Sequence, residues 1–202
     1  MIDDLDRTLQ ELLRHELPAS LFEQVSISFA APDNEFPPAA VTLPAVDLFL
    51  YDVRENLELR NTQWITEPKP NGSGATRRRL PVRVDCSYLI TAWPSEHSTT
   101  PPLDEHRLLS EVMRALLRHP VIPESLLQGA LRGQDPPLPS STLHPGRLQS
   151  LAEFWQALGG KPKAALNYTV TIGVEVAEPV DTAALVRDKE INIWPLNKPE
   201  EK

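Results

Sequence analysis

The sequence predicts an α+β fold: one domain with a mixed or antiparallel sheet of about four to five strands packed by helices. Three observations predict it. Two amphipathic helical stripes, at 3–17 and 104–119, are separated by segments that alternate apolar and polar residues or run apolar throughout. The elements follow the order α, β, β, β, α, α, β, which places helices on one face of a sheet. The 21 prolines in 202 residues, roughly twice ordinary usage, cluster at 32–44, 68–81, 94–102, 120–145 and 195–199. Such clusters punctuate elements, because proline lacks a donor and restricts the residue before it.

The first helix spans 3–17. Ile2, Leu5, Leu9, Leu12, Leu13 and Leu17 recur at three- and four-residue spacing. Asp3 and Asp4 suit its positive end, Arg14 and His15 its negative end, and Pro18 stops it. A core-facing stripe is favoured over a partner-binding one. Residues 25–31 alternate as a half-buried strand, with Val25, Ile27 and Phe29 on one side. The segment 46–53 is apolar on both faces, with Asp47 the early exception, so it reads as an interior strand; the organising stretch 45–56 is paired with 79–94. Residues 54–63 are polar and extend that strand outward, and 64–79 form a long loop.

In 82–91, Val82, Val84, Cys86, Tyr88 and Ile90 face one side; Arg83, Asp85, Ser87, Leu89 and Thr91 face the other. The second helix spans 104–119, with Asp104 as N-cap and Leu108, Leu109, Val112, Met113, Leu116 and Leu117 apolar. Residues 124–131 read as a short helical turn and 136–139 as extended chain. A third helix spans 147–158, with Leu148, Leu151, Ala152, Trp155 and Leu158 on one face and Gly159-Gly160 as its stop. The segment 165–176 alternates best of all, which predicts a long antiparallel strand near a sheet edge. The domain boundary is set at 176, with 177–202 a charged tail in which Ile191, Ile193 and Trp194 stand out.

The net charge of −8 and pI near 5.2 argue against a general nucleic-acid binder and against adsorption to an anionic membrane. No apolar run is long enough to span a bilayer. The acidic opening residues lack a signal-peptide pattern, so folding in the cytosol is expected. One cysteine, Cys86, excludes an intrachain disulfide, and a mid-strand thiol is read as structural.

Chemistry-bearing patterns are sparse. His15, His97, His106, His119 and His144 show no zinc-protease spacing. Ser87, Ser110 and Ser150 lack the glycine-flanked nucleophile elbow. Asn71-Gly72-Ser73-Gly74 lacks the lysine–hydroxyl ending of a phosphate loop and reads as a hairpin tip. The sharpest charge feature is Arg77-Arg78-Arg79 with Arg83. It is either a solvated loop base or a contact for an acidic neighbour, most naturally another protein.

Three stretches together are distinctive: 48–61 (LFLYDVRENLELRN), 88–94 (YLITAWP), and the helix start 105–109 (EHRLL) followed by Val112-Met113 and His119-Pro120. They resemble the tail-terminator (cap) family of extracellular contractile injection systems, phage-tail-like particles of the antifeeding-prophage and virulence-cassette type. The resemblance covers about residues 1–176. It implies a tail-terminator-like fold and a structural role: a homohexameric ring on the end of the tail tube, in contact with tube and sheath proteins, that stops their polymerisation. It implies no enzymatic activity; the residue patterns themselves point to no cofactor and no metal, and the charge to no nucleic-acid or membrane partner. Assembly is expected in the cytoplasm, into a particle that is released or anchored. The alternative is a non-enzymatic adaptor or chaperone-like assembly module. Candidate protein contacts are Trp64, Ile65, Arg77, Arg78 and Arg79 in the 64–80 loop, Ile191, Ile193 and Trp194 in the tail, and the edge of the 165–176 strand.

Overall fold

The computed structural model describes residues 1–69, 74–143 and 150–182. In chain order the elements are α1 (Ile2–Glu16), α2 (Ala19–Phe22), β1 (Ser26–Ser28), β2 (Ala45–Glu55), β3 (Trp64–Pro68), β4 (Ala75–Arg79), β5 (Val82–Trp93), α3 (Pro101–Leu117), β6 (Ser140–Thr142), α4 (Leu151–Ala157), β7 (Ala165–Val174) and β8 (Val180–Thr182). The described residues pack as two compact units, one within 1–60 and 82–174, the other within 61–81 and 175–182.

The first unit holds a mixed five-stranded sheet in the order β1-β2-β5-β7-β6. β1 runs parallel to β2, and the remaining pairs are antiparallel. The α+β expectation and the pairing of 45–56 with 79–94 therefore hold, with Leu48 opposite Ile90 and a register shift between Leu50 and Asp52.

One face of this sheet carries the main core. Leu5, Leu9, Leu12 and Leu13 of α1 are fully buried there, with Leu108, Leu109, Val112 and Leu116 of α3. Cys86, Tyr88 and Ile90 of β5 and Leu166, Tyr168, Val170 and Ile172 of β7 face them, as the alternation predicts. Each buried leucine contributes about 1.5–3 kcal/mol relative to exposure.

The opposite face is also covered, so the expectation of helices on one face only needs correction. Phe154 of α4 lies 6.2 Å from both Phe49 and Tyr51 of β2, and Trp155 is 1% exposed. Phe36 stacks on Trp93 at 4.3 Å. α4 is short, and of the apolar stripe expected there Trp155 is buried and Leu158 half-buried, whereas Leu151 is 39% exposed and Ala152 is exposed; Phe154, outside that stripe, is half-buried. Its N-cap is Ser150, whose hydroxyl accepts from the Glu153 amide, and residues 147–149 lie outside the described residues.

Other boundaries shift for physical reasons. α3 begins at Pro101, not at Asp104, because two prolines fill its first positions, where no intrahelical donor is needed. Leu117, expected on its apolar face, is 51% exposed. β2 stops at Glu55 instead of extending to 63, since Asn56 folds back and its side chain accepts from the Leu59 amide at 3.0 Å. The expected helical turn at 124–131 is two 3-10 turns, Glu124–Leu126 and Gly129–Leu131, and this segment plugs the core with Leu126, Leu127 and Leu131.

β7 does lie beside the sheet edge, but that edge is closed, which corrects the idea of strand addition there. β6 pairs with Tyr168–Val170, the Thr171 amide donates to Pro139, and the Leu143 amide donates to Asn167. Gln134 completes the seal: its amide donates to the Gly173 carbonyl at 2.7 Å and accepts from the Gly173 amide at 3.0 Å.

The second unit contains a three-stranded antiparallel sheet, β3-β4-β8. The long loop expected at 64–79 is thus a hairpin, with the predicted tip between its strands; Asn71, Gly72 and Ser73 are outside the described residues. The start of the expected tail supplies the third strand.

Candidate protein interface

β4 displays its three arginines on alternating faces, as the period of two in a strand requires. Cross-strand partners share a face, so Arg79 opposite Trp64 and Arg77 opposite Thr66 look one way, while Arg78 opposite Ile65 looks the other. Arg78 is neutralised on its face by Glu67, with guanidinium-to-carboxylate distances of 3.1 and 3.2 Å. Arg77 and Arg79 instead lie over the Trp64 ring, 4.7 and 5.6 Å from its centroid. Each such stack is worth about 0.5–1 kcal/mol at an exposed site. Neither arginine has a carboxylate partner among the described residues, and both are exposed.

β8 extends this face. Val180 pairs with Arg77 and is 53% exposed, while Lys69 holds β8 through an ion pair with Asp181 at 2.6 Å. Sequence reasoning missed Val180, Lys69 and Asp181 because a three-residue strand directly after Pro179 shows no readable alternation. Trp64, Ile65, Arg77, Arg78 and Arg79 all lie in one hairpin, with Ile65 and Arg78 on the opposite face from the other three. Ile191, Ile193 and Trp194 lie outside the described residues. Arg83 does not join the triad. It is 6% exposed in the first unit and donates to the carbonyls of Pro136 and Pro137 at 3.2 and 3.0 Å.

The first unit has a cavity of about 740 Å³ lined by residues including Asn56, Asp85, Ser87, Thr169 and Thr171. Its side chains bond one another. Asp85 accepts from Asn56 at 3.0 Å and from Thr171 at 2.7 Å, and Ser87 meets Thr169 at 3.0 Å. Groups so satisfied hold strands together and are not poised for proton transfer.

Cys86 is fully buried, and burial pushes its thiol up to about 11, which keeps it protonated and inert. Among the described residues no three of His, Cys, Asp and Glu gather as a metal-binding group, and no helix is long and apolar enough to cross a membrane.

Comparison with known proteins bears on the whole fold. The chain aligns with a cryo-EM structure of the sheath/tube terminator of the extracellular contractile injection system PVC in its extended state. The TM-score is 0.67 at 25% identity, over 98% of this chain and 64% of that one. It aligns likewise with the tube-terminating cap of the anti-feeding prophage, with a TM-score of 0.63 at 25% identity, over 96% of this chain and 61% of that one. The chain therefore spans less than two thirds of the length of either structure. No curated protein sequence matches it. Residues 4–188 match the family model described as the Pvc16 N-terminal domain, past the boundary at 176 and through β8. With that match covering most of its length, the chain belongs to the Pvc16 N-terminal domain family.

Proposed function

We propose that this chain is a structural cap of a contractile, phage-tail-like injection particle. It sits on the end of the tube and sheath and ends their polymerisation. The observation that carries the reading is the alignment of 98% of the chain with a sheath/tube terminator, through both sheets. The closed β7 edge and the inert Cys86 fit a structural role without catalysis.

In this reading the cap is a homohexameric ring whose partners are the inner tube and sheath proteins. Its contacts are drawn from the β3–β4 hairpin, at Trp64, Ile65, Arg77, Arg78 and Arg79, and from Ile191, Ile193 and Trp194 further along the chain. Assembly takes place in the cytoplasm, before the particle is released or anchored.

Electron microscopy of purified particles tests this. Deleting the gene is expected to yield particles with uncapped ends and a broad distribution of tube lengths, restored by the intact gene. Particles of unchanged length and unchanged ends would overturn the cap. A protein that is needed for assembly yet absent from mature particles would point to an assembly adaptor instead.

A further inference from the structure

We propose that the Arg77–Trp64–Arg79 face of the hairpin binds an acidic surface on a second copy of this chain. The proposal rests on the cap reading for its setting, a ring of like subunits, and deepens it by naming what this face meets.

Two observations carry it. The first is charge segregation along the chain. Residues 61–81 hold four basic side chains, Lys69, Arg77, Arg78 and Arg79, against one acidic, Glu67, a net of +3, while residues 1–60 hold twelve acidic and four basic side chains, a net of −8; residues 82–174 balance and 175–202 carry −3. The basic segment on one copy is thus complementary in charge to the acidic segment 1–60 on another. Such a heterologous contact, with different patches on the two copies, is the kind that closes into rings.

The second is geometric. Within that +3 segment, Arg78 and Lys69 already have carboxylate partners in Glu67 and Asp181. Among the described residues Arg77 and Arg79 do not. Their guanidinium groups are held over Trp64, so less side-chain freedom is lost when they engage a carboxylate. Trp64, 38% exposed, and Val180, 53% exposed, supply apolar area between and beside the two charges. Aromatic and arginine anchors with an apolar neighbour are what interface centres are made of. A nucleic acid fits less well. Among the described residues the hairpin offers two cations without a carboxylate partner, and the net charge of −8 repels a polyanion.

The test is self-association of the full chain by sedimentation velocity, across protein concentration, at about 50 mM and about 500 mM salt. Wild-type chain is expected to associate at low salt and to weaken at high salt. Arg77→Ser with Arg79→Ser is expected to weaken association about tenfold or more at low salt, and Arg77→Glu with Arg79→Glu to abolish it. Arg7→Ser with Arg114→Ser, which removes the same charge from paired helix-surface sites, should leave association unchanged; circular dichroism confirms folding of every variant.

Unchanged association of the hairpin variants overturns the proposal, as does a wild-type chain that stays monomeric at every concentration. So does a hairpin variant that self-associates normally but no longer binds purified tube protein, sheath protein or duplex DNA, which would assign the face to that partner. The two readings fail separately. Absence of the chain from particle ends sinks the cap whatever the hairpin binds, whereas a capped particle built with the Arg77→Ser, Arg79→Ser chain at wild-type length sinks only the hairpin contact.

Discussion

Asp47 is the residue whose chemistry is most at odds with its place. It lies in β2, fully buried, and neither carboxyl oxygen has a hydrogen-bond partner among the described residues. Burial pushes its carboxyl up to about 7, and the nearby Ser28 hydroxyl and Ala30 amide offset only part of that. The sign follows from linkage. Below pH about 4 the group is protonated folded or unfolded and costs nothing. Between about 4 and 7 only the unfolded chain ionises, so stability falls as pH rises; above about 7 the loss is complete. Asp47→Asn is therefore expected to stabilise the protein at pH 8 by on the order of 2–4 kcal/mol. It should also flatten the dependence of the urea midpoint on pH between 4 and 8. Parallel pH profiles for the two proteins would refute the assignment. Asp47 was legible in the sequence as an early polar residue in an apolar run, but its full burial was not, because burial depends on segments distant in sequence. Cys86 was read correctly from its strand position alone: it is expected to resist a thiol reagent in the folded state and to react fully in denaturant.

At the scale of elements, local rules worked wherever a segment was long and periodic. α1 follows its leucine spacing, and β5 and β7 follow their alternation, because 3.6 and 2.0 residue periods are imposed by backbone geometry. They worked less well where side chains from distant segments decide the backbone. The segment 120–139 is held by α1. Thr8 of α1 accepts from the Gln128 amide at 3.0 Å, and Asp4 accepts from the Ala130 amide at 3.2 Å, which keeps the Asp4 carboxyl below its usual range. Gly129 between them has φ +53°, and a Cβ there would lie 2.0 Å from Asp4 Oδ1. Gly129→Ala is thus expected to cost about 1–3 kcal/mol through backbone strain and the displaced carboxylate. Chemical denaturation measures it, and a neutral result would show that α1 does not pin the plug. The same tertiary logic explains β6. Its three residues pair only because β7 presents an edge, and Gln134 prolongs the seal. Gln134→Ala is expected to speed amide exchange at Gly173 and leave α1 unaffected; unchanged exchange at Gly173 would mean the glutamine does not guard the edge.

For the molecule as a whole, the two compact units give a prediction that does not depend on function. Ending the chain after Pro179 removes β8 and the Lys69–Asp181 ion pair, leaving β3 and β4 as a two-stranded hairpin. Isolated hairpins are marginal in water. Amide protection in 64–68 and 75–79 is expected to fall about tenfold or more, while β5 and β7 keep theirs; equal loss in both units would show that they unfold as one. Full protection in the hairpin would show that β8 adds nothing to it.

By itself the sequence determined the fold class, the helices α1 and α3, the three long strands and the strand pairing at the centre of the first unit. Those features follow from periodic apolar patterning, and every residue carries its own share of that signal. Its family resemblance also agreed with the Pvc16 N-terminal domain match. Only the tertiary structure decided which of the arginines 77–79 pairs with a carboxylate among the described residues, that Arg83 belongs to a different unit, and that 64–68, 75–79 and 180–182 make one sheet. A salt bridge or a cross-strand pair between residues 11 or 112 positions apart, as in Glu67–Arg78 and Lys69–Asp181, leaves no local trace. It exists only once the backbone has brought the partners together.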